Sequence, residues 1–204
     1  MAVRQRTGST GAGAGLGVRT LTAGRPMAAS LFRPATELLV QYAGYHRDPR
    51  NIASHFIGIP LIVLAIGVLL ARVDVGGLSG AWAVWALSSA GYLSRGKLVP
   101  GLATSTVNAA LMAGAHLLAA GSVAAWLGWG LGLFALGWMV QFVGHCWESR
   151  KPAFVDDGVG LLVGPMFVVA EWLMALGWDP ILAAEIKRRV GPGRHGGSGA
   201  PVSR

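Results

Sequence analysis

Long uncharged runs, separated by short charged loops, occupy the middle of this chain. The runs 51–71, 75–94 and 98–147 contain no Asp, Glu, Lys or Arg. About 20 mainly apolar residues are needed to cross the hydrocarbon core of a bilayer. The pattern therefore predicts four membrane crossings: one in each of the first two runs and two in the third. The turn between the last two is expected near Gly121, Ser122 or Gly128.

An amphipathic segment precedes the first crossing. In 34–47 apolar residues recur three and four positions apart, at Leu38, Leu39, Tyr42 and Tyr45. This spacing predicts a helix, which we expect to lie along the membrane surface. Asp48-Pro49 ends it, because proline disfavours the helical conformation of the residue before it. We expect Asn51 to cap the next helix.

A last apolar stretch, 158–178, differs from the others because Gly164-Pro165 and Glu171 interrupt it. Basic residues favour the cytoplasmic side of a membrane. Four crossings place every basic segment on that side: the N-terminal arm, the 95–97 loop, the 148–157 loop and Lys187-Arg188-Arg189. A fifth crossing would move the last of these across. We therefore predict that 158–178 is a re-entrant or broken helix, with five or six crossings as the alternative.

Composition supports a membrane protein. Hydrophobic residues make up 53% of the 204 residues and charged residues only 13%, whereas soluble domains are about one quarter charged. The net charge of +8 lies outside the apolar runs, so it indicates contact with anionic lipid headgroups, and no nucleic-acid partner is expected. The single Cys146 excludes an internal disulfide and a CxxC motif.

The predicted fold is therefore an all-α polytopic membrane helical bundle. It has about four crossings, an N-terminal amphipathic helix and a re-entrant or broken C-terminal helix. We expect a disordered arm over 1–33, the membrane helical domain over 34–180 and a basic, Gly-rich tail over 181–204. The predicted location is an integral membrane one: the bacterial inner membrane, or the endoplasmic reticulum if the source is eukaryotic.

Three histidines are predicted to reach the same membrane interface. His46 ends the amphipathic helix, His55 begins the first crossing and His145 closes the fourth. On one straight helix His46 and His55 would point to opposite sides, but the break at Asp48-Pro49 allows their rings to meet. Asn51 lies between them as a partner that could orient a ligand. The remaining two histidines are expected to pack between helices (His116) or to lie in the tail (His195).

The end of the fourth crossing adds further polar groups. Gln141, His145 and Glu148 fall at i, i+4 and i+7, which is one face of a helix. Three histidines and a carboxylate form a ligand set without thiolate that suits Fe(II), Mn(II) or Zn(II), and the residues alone do not choose among these metals. Glu171 is a further candidate, either for the site or as a partner of Arg150.

Two sequence blocks resemble a known family. They are YHRDPRNIASHFIGIP, from Tyr45 to Pro60, and QFVGHCWESRKPA, from Gln141 to Ala153. Together they resemble the small membrane family typified by the yeast endoplasmic-reticulum 2-hydroxy fatty acid dioxygenase. The similarity covers about 35–178, and Gly164-Pro165, Phe167 and Glu171 also fit it. The chain departs from the family between the second and third crossings. There the family usually has an acidic residue after an aromatic pair, whereas this chain has Gly91-Tyr92-Leu93-Ser94-Arg95.

The resemblance implies an enzyme that uses Fe(II) and dioxygen to shorten a 2-hydroxy fatty acid by one carbon, a step of α-oxidation. The implied metal ligands are His46, His55 and His145. Glu148, which shares a helix face with His145, is a further candidate catalytic residue from its spacing. Asn51, Gln141 and Glu171 would lie around the cofactor. The implied partners are a lipid substrate, dioxygen and the membrane.

Two other functions compete with this one. The first is a non-catalytic membrane scaffold or transporter subunit, whose histidines only form hydrogen bonds at the interface. The second is a zinc-dependent membrane hydrolase that uses Glu148 as general base. Metal content and dioxygen consumption separate the three.

Overall fold

Helices account for nearly all the regular structure in the computed structural model, which describes residues 33–148 and 159–191. The seven described helices are α1 (Ala35–Tyr45), α2 (Pro49–Leu70), α3 (Gly80–Leu93), α4 (Leu98–Ala119), α5 (Val123–Glu148), α6 (Val159–Ala175) and α7 (Pro180–Val190). A short antiparallel hairpin, β1 (Asp74–Val75) and β2 (Leu78–Ser79), joins α2 to α3. The predictions for the N-terminal arm up to residue 32, Arg150, Pro152-Ala153 and His195 lie outside the described residues.

The predicted all-α membrane bundle is confirmed. Among the described residues, α2, α4 and α5 are long and apolar enough to cross a membrane. Large side chains such as Leu87 and Leu117 are more than three quarters exposed on the bundle surface, as expected of a surface that faces lipid. The turn between α4 and α5 falls at 120–122, so two of its three predicted positions, Gly121 and Ser122, are confirmed.

The second predicted crossing is shorter than the sequence indicated. The hairpin takes up residues 75–79 of the run 75–94, and α3 has 14 residues, or about 21 Å of helix. Helix α3 nevertheless packs antiparallel to α4, because Ser79 contacts His116 at one end and Tyr92 lies against Gly101 at the other. Helices α2 to α5 thus alternate in direction. His116 packs between helices as expected, with Nδ1 bonded to Met112 O and its ring stacked on Trp82.

The C-terminal stretch is broken, as predicted. Helices α6 and α7 meet at 115°, with Gly177 and Asp179 in the left-handed region at the bend. The Asp179 carboxylate accepts a hydrogen bond from Leu182 N and forms an ion pair with Lys97 at 2.5 Å. The Lys97 ammonium holds the pKa of Asp179 below its usual value. The bend is therefore fastened to the end of the bundle at which α4 begins.

Helix α1 is amphipathic, and protein covers its apolar face. Leu38, Leu39 and Tyr42 are buried in a core that includes Phe167 of α6 and Leu182 of α7. The first residues of the predicted tail thus form a helix that packs on α1.

The expected cap of the next helix was wrong. Asp48 caps α2 by accepting a hydrogen bond from Arg50 N. Pro49 occupies the first turn, where its missing N–H costs nothing. Asn51 instead lies within that turn, with its side chain directed at another helix.

Helices α2 and α5 approach closely along a row of glycines. Gly130, Gly137 and Gly144 are spaced seven apart on α5 and face Leu69, Ile62 and Ser54 of α2. A Cβ at any of the three would come within 3 Å of an α2 atom. Small residues in the third and fourth predicted crossings also predict close helix packing, at Gly114, Gly121, Gly128, Gly130 and Gly132. Of these five, only Gly130 lies against another helix. Gly114, Gly128 and Gly132 face open space, and Gly121 meets only Ala125 of its own turn.

Candidate functional site

Three histidines meet where α1, α2 and α5 come together. His46 caps the C-terminus of α1, His55 lies in the second turn of α2, and His145 lies in the last turn of α5. One ligand nitrogen from each lies within 4.8 Å of the others. Their ring centroids are 4.3 Å (His46–His55), 5.1 Å (His55–His145) and 5.2 Å (His46–His145) apart.

Backbone carbonyls fix the orientation of two of these rings. His46 Nδ1 lies 2.8 Å from Tyr42 O, and His55 Nδ1 lies 2.8 Å from Asn51 O. Because a carbonyl can only accept, both Nδ1 atoms carry the proton and both Nε2 atoms keep a lone pair. Metal-binding histidines commonly donate their second ring nitrogen in this way.

The cluster has nitrogens without partners. His46 Nε2 and His145 Nδ1 are buried and lack a hydrogen-bond partner in the described part of the chain. Burial lowers the pKa of His46 to about 4, so its ring is neutral at neutral pH. Buried polar atoms are nearly always paired, and a metal ion is a partner that suits neutral imidazole nitrogens.

The donor set fits a metal ion. Nitrogen binds such ions at about 2.1 Å, so two nitrogens on one ion span at most about 4 Å. The observed limit of 4.8 Å is wider by less than about 1 Å, so metal binding would need only a small rotation of the side chains. Residues His46, His55 and His145 could therefore hold one ion.

Glu148, the last residue of α5, stabilises the chain segments next to the cluster through hydrogen bonds. Its Oε2 accepts hydrogen bonds from Arg47 N and Asp48 N, both at 2.9 Å, and from Asn51 Nδ2 at 3.1 Å. These contacts tie the α1–α2 linker and the first turn of α2 to α5. Asn51 is fully buried, and it contributes both this contact and the carbonyl that orients His55. Both residues therefore lie beside the histidines and hold the segments that carry them.

A cavity of about 280 Å³ extends from the histidines into the bundle. All three histidines lie at one end of it. From His55 to Ile66 it follows α2 for about 16 Å. Its walls are mostly apolar side chains, contributed by Ile59, Ile62, Val63, Ile66, Phe134, Trp138, Leu161 and Pro165. The arrangement is a small polar head joined to a long apolar body.

Two polar side chains besides histidine line this cavity, Gln141 and Tyr42. Gln141 lies one turn before His145 and was predicted from its spacing. Tyr42 was not predicted as a site residue, although it lies one turn before His46 on α1. Its ring stacks on His46 with centroids 4.2 Å apart, and burial raises the pKa of its hydroxyl, which stays protonated.

Glu171 lies apart from this group. It is half-buried on α6, it is not among the residues that line the cavity, and its carboxylate is not in the cluster of ligand atoms. Its other expected partner, Arg150, lies outside the described residues. The structure thus brings together the three histidines, Asn51, Gln141 and Glu148, and leaves Glu171 elsewhere.

Comparison with known proteins gives one family. The family model described as Mpo1-like, 2-hydroxy-palmitic acid dioxygenase Mpo1-like, matches residues 32–176. The chain belongs to this family. The match begins just before α1 and ends after α6, so it includes every residue of the histidine cluster and the cavity.

A curated relative agrees with this assignment. The chain is 34% identical to the 2-hydroxy-palmitic acid dioxygenase MPO1 of Saccharomyces cerevisiae over 161 residues, which cover 72% of this chain and 88% of the relative. A search of the solved structures finds no match.

Proposed function

We propose that this protein is an Fe(II)-dependent membrane dioxygenase that shortens a 2-hydroxy fatty acid by one carbon. The observation that carries the proposal is the cluster of three histidines at the polar end of an apolar cavity. The yeast relative is named for a reaction on 2-hydroxy-palmitic acid. A 2-hydroxy fatty acid has a polar head and a long apolar chain, and the cavity likewise has one polar end and a long apolar body.

His46, His55 and His145 would hold the metal through the three ring nitrogens that lie within 4.8 Å of one another. Three imidazole ligands leave further coordination positions on the ion, which oxygen ligands could occupy. Bound Fe(II) would supply the redox centre at which dioxygen and the hydroxy acid react. Glu148 and Asn51 would keep the two histidine-bearing segments of α1 and α2 in register with α5.

The cavity would orient the substrate. The carboxylate and the 2-hydroxyl would lie at the histidine end, and the acyl chain along Ile59, Ile62 and Ile66 of α2. Burial of that chain supplies favourable free energy of binding in proportion to its apolar area. In the overall reaction the C1–C2 bond breaks, and the products are the shortened acid, carbon dioxide and water. The electrons lost by C1 and C2 reduce dioxygen.

The test combines metal analysis with product analysis. We expect purified wild-type protein to bind about one Fe(II) per chain and to convert 2-hydroxypalmitic acid to the acid one carbon shorter, with consumption of dioxygen. His46→Ala, His55→Ala and His145→Ala should each lower metal affinity at least tenfold and abolish product. His116→Ala is the matched control, because this histidine lies at the other end of the bundle and should leave metal content unchanged.

The competing functions give other results. A scaffold or transporter subunit would hold negligible metal in wild type and in all four variants. A zinc hydrolase would hold zinc and consume no dioxygen. The contacts of Glu148 disfavour that hydrolase, because its Oε2 already accepts three hydrogen bonds from the chain and is poorly placed to act as a base.

A further inference from the structure

Gln141 presents an unpaired acceptor to the cavity. Its side chain lines the cavity and is only 6% exposed. Its Oε1 is buried and has no hydrogen-bond partner among residues 33–148 and 159–191. A buried acceptor left unpaired destabilises a fold, so a partner supplied by a ligand is the natural complement.

Gly58 makes room for this amide. On α2 it lies one turn beyond His55 and opposite Gln141. A Cβ there would lie 3.0 Å from Gln141 Cγ and 3.1 Å from Cδ. The backbone carbonyl of Gly137 would also lie 2.9 Å from that Cβ, so the helices could not move to admit it easily. The absence of a side chain at Gly58 therefore forms a cradle for Gln141.

The position of Gln141 indicates what it can bind. It precedes His145 by one helical turn, which places it about 5–6 Å from the histidine cluster in the direction of the apolar walls. Beyond it the cavity is lined by Ile62 and Trp138. A ligand group that meets Gln141 would therefore belong to the junction between a polar head and an apolar tail.

Resting on the function proposed above, we infer that Gln141 Oε1 accepts a hydrogen bond from the 2-hydroxyl of the bound fatty acid and thereby selects 2-hydroxy acids over unsubstituted ones. The hydroxyl is the donor that distinguishes the two classes, since an ionised carboxylate can only accept. An unsubstituted acid would leave the acceptor buried and unpaired. Gln141 is thus a specificity-determining residue.

Binding to metal-free protein tests this directly. In detergent micelles, 2-hydroxypalmitic and palmitic acids would each displace a fluorescent fatty acid from wild type, Gln141→Met and Gln141→Glu. Wild type should bind the hydroxy acid about tenfold more tightly. Gln141→Met, which keeps the side-chain length and loses the acceptor, should bind both within about twofold. Gln141→Glu should retain most of the preference, because its side chain has the same length and still offers an oxygen acceptor.

A second measurement separates this role from a structural one. Gln141→Met should load Fe(II) as wild type does and should raise KM for 2-hydroxypalmitic acid more than it lowers kcat. Met139→Leu is the matched control: this residue lies on the same helix, is 57% exposed and should keep the tenfold preference. If Gln141→Met does not fold, Gln141→Asn withdraws the amide by one methylene and makes the same test.

The inference is overturned if wild type binds both acids equally, or if Gln141→Met retains the preference. Neither result touches the proposed function, which stands or falls on metal content and product. Conversely, a protein that prefers the hydroxy acid but forms no product would keep the role of Gln141 and lose the dioxygenase assignment.

Discussion

At the scale of single residues, the hydrogen bond made by Nδ1 of His46 and of His55 decides whether Nε2 can bind a metal. Tyr42 O and Asn51 O each accept a hydrogen bond from Nδ1 of a histidine four residues later. The helical repeat thus sets the tautomer of His46 and His55, and it leaves both Nε2 atoms free to bind a ligand. Spacing along the sequence already contains this information, because a carbonyl four residues earlier lies on the same helical face.

Glu148 offers a test at this scale. Replacing it by alanine leaves Arg47 N, Asp48 N and Asn51 Nδ2 without their acceptor, so we expect Glu148→Ala to lower the free energy of unfolding by about 3 kcal/mol. Metal affinity should fall at least tenfold, because the α1–α2 linker carries His46 and precedes His55. Thermal unfolding and metal titration in detergent measure the two effects.

Glu148→Gln is the matched variant. It keeps one oxygen acceptor for these donors, while the charge is lost and the second oxygen becomes an NH2 group, so a loss of about 1 kcal/mol is expected. Equal losses in the two variants would mean that charge, and not the three hydrogen bonds, accounts for the role of Glu148.

Helical spacing predicted that Gln141, His145 and Glu148 share one face of a helix. It could not predict what each one contacts, because the partners lie in distant parts of the chain. Glu148 meets the α1–α2 linker, a hundred residues away in sequence, while Gln141 meets Gly58 and the cavity. Tyr42 was missed as a site residue because its apolar spacing on α1 accounted for it as a packing residue. The missed signal was its position one turn before His46.

At the scale of helices, the glycine row on α5 decides how closely the site is assembled. Gly130, Gly137 and Gly144 recur every seven residues and face α2, and Gly144 lies directly against Ser54 and Asn51 beside the histidines. A heptad keeps one face of a helix toward its partner. Small residues at such an interface let two backbones pack closely in a membrane.

Two alanine substitutions on α5 should therefore act in opposite directions. In Gly137→Ala the new Cβ would lie 2.7 Å from Ile62 Cγ1 and 3.0 Å from Gly58 O, so we expect a loss of about 1–3 kcal/mol in stability. In Gly132→Ala the Cβ meets nothing within 4 Å, and the better helix propensity of alanine should add about 0.5–1 kcal/mol. Unfolding in mild detergent measures both changes, and a neutral Gly137→Ala would contradict the close approach of α2 and α5.

Helix boundaries show where local patterns stop being informative. The charge-free run 75–94 predicted a whole crossing, but its first residues form a hairpin with Gly76 and Gly77 at positive φ. Glycine adopts that conformation without strain, and the two adjacent glycines were the available signal. The bent C-terminal helix pair was predicted, but its break lies at Gly177 and Asp179, because α6 runs unbroken through Gly164-Pro165 and Glu171, where the sequence indicated the interruption.

At the scale of the whole molecule, the described residues divide between two ends. The histidine cluster, the α3–α4 loop and the α6–α7 bend lie at one end, where Ala35 N bonds Arg95 O and Lys97 pairs with Asp179. The hairpin and the α4–α5 turn lie at the other, where Arg72 contacts Ala119 O and the ring of Trp126. In a bilayer the two ends would face opposite sides.

Cysteine labelling tests this arrangement. In a Cys146→Ser background, Ser94→Cys should react with a membrane-impermeant maleimide from one side only, which the basic loops predict to be the cytoplasmic one. Leu78→Cys and Ser122→Cys should react from the opposite side. Labelling of positions 78 and 94 from the same side would refute the crossing by α3, and labelling of positions 94 and 122 from the same side would refute the crossing by α4.

The sequence by itself determined the kind of protein and the candidates for its chemistry. Charge-free runs fix membrane helices because a charge in hydrocarbon is costly, and helical spacing fixes which residues share a face. Tertiary structure alone decided which faces meet. The contacts of His46 with His145, of Glu148 with the α1–α2 linker and of Gln141 with Gly58 join distant parts of the chain. They depend on the packing of whole helices, which no local pattern encodes.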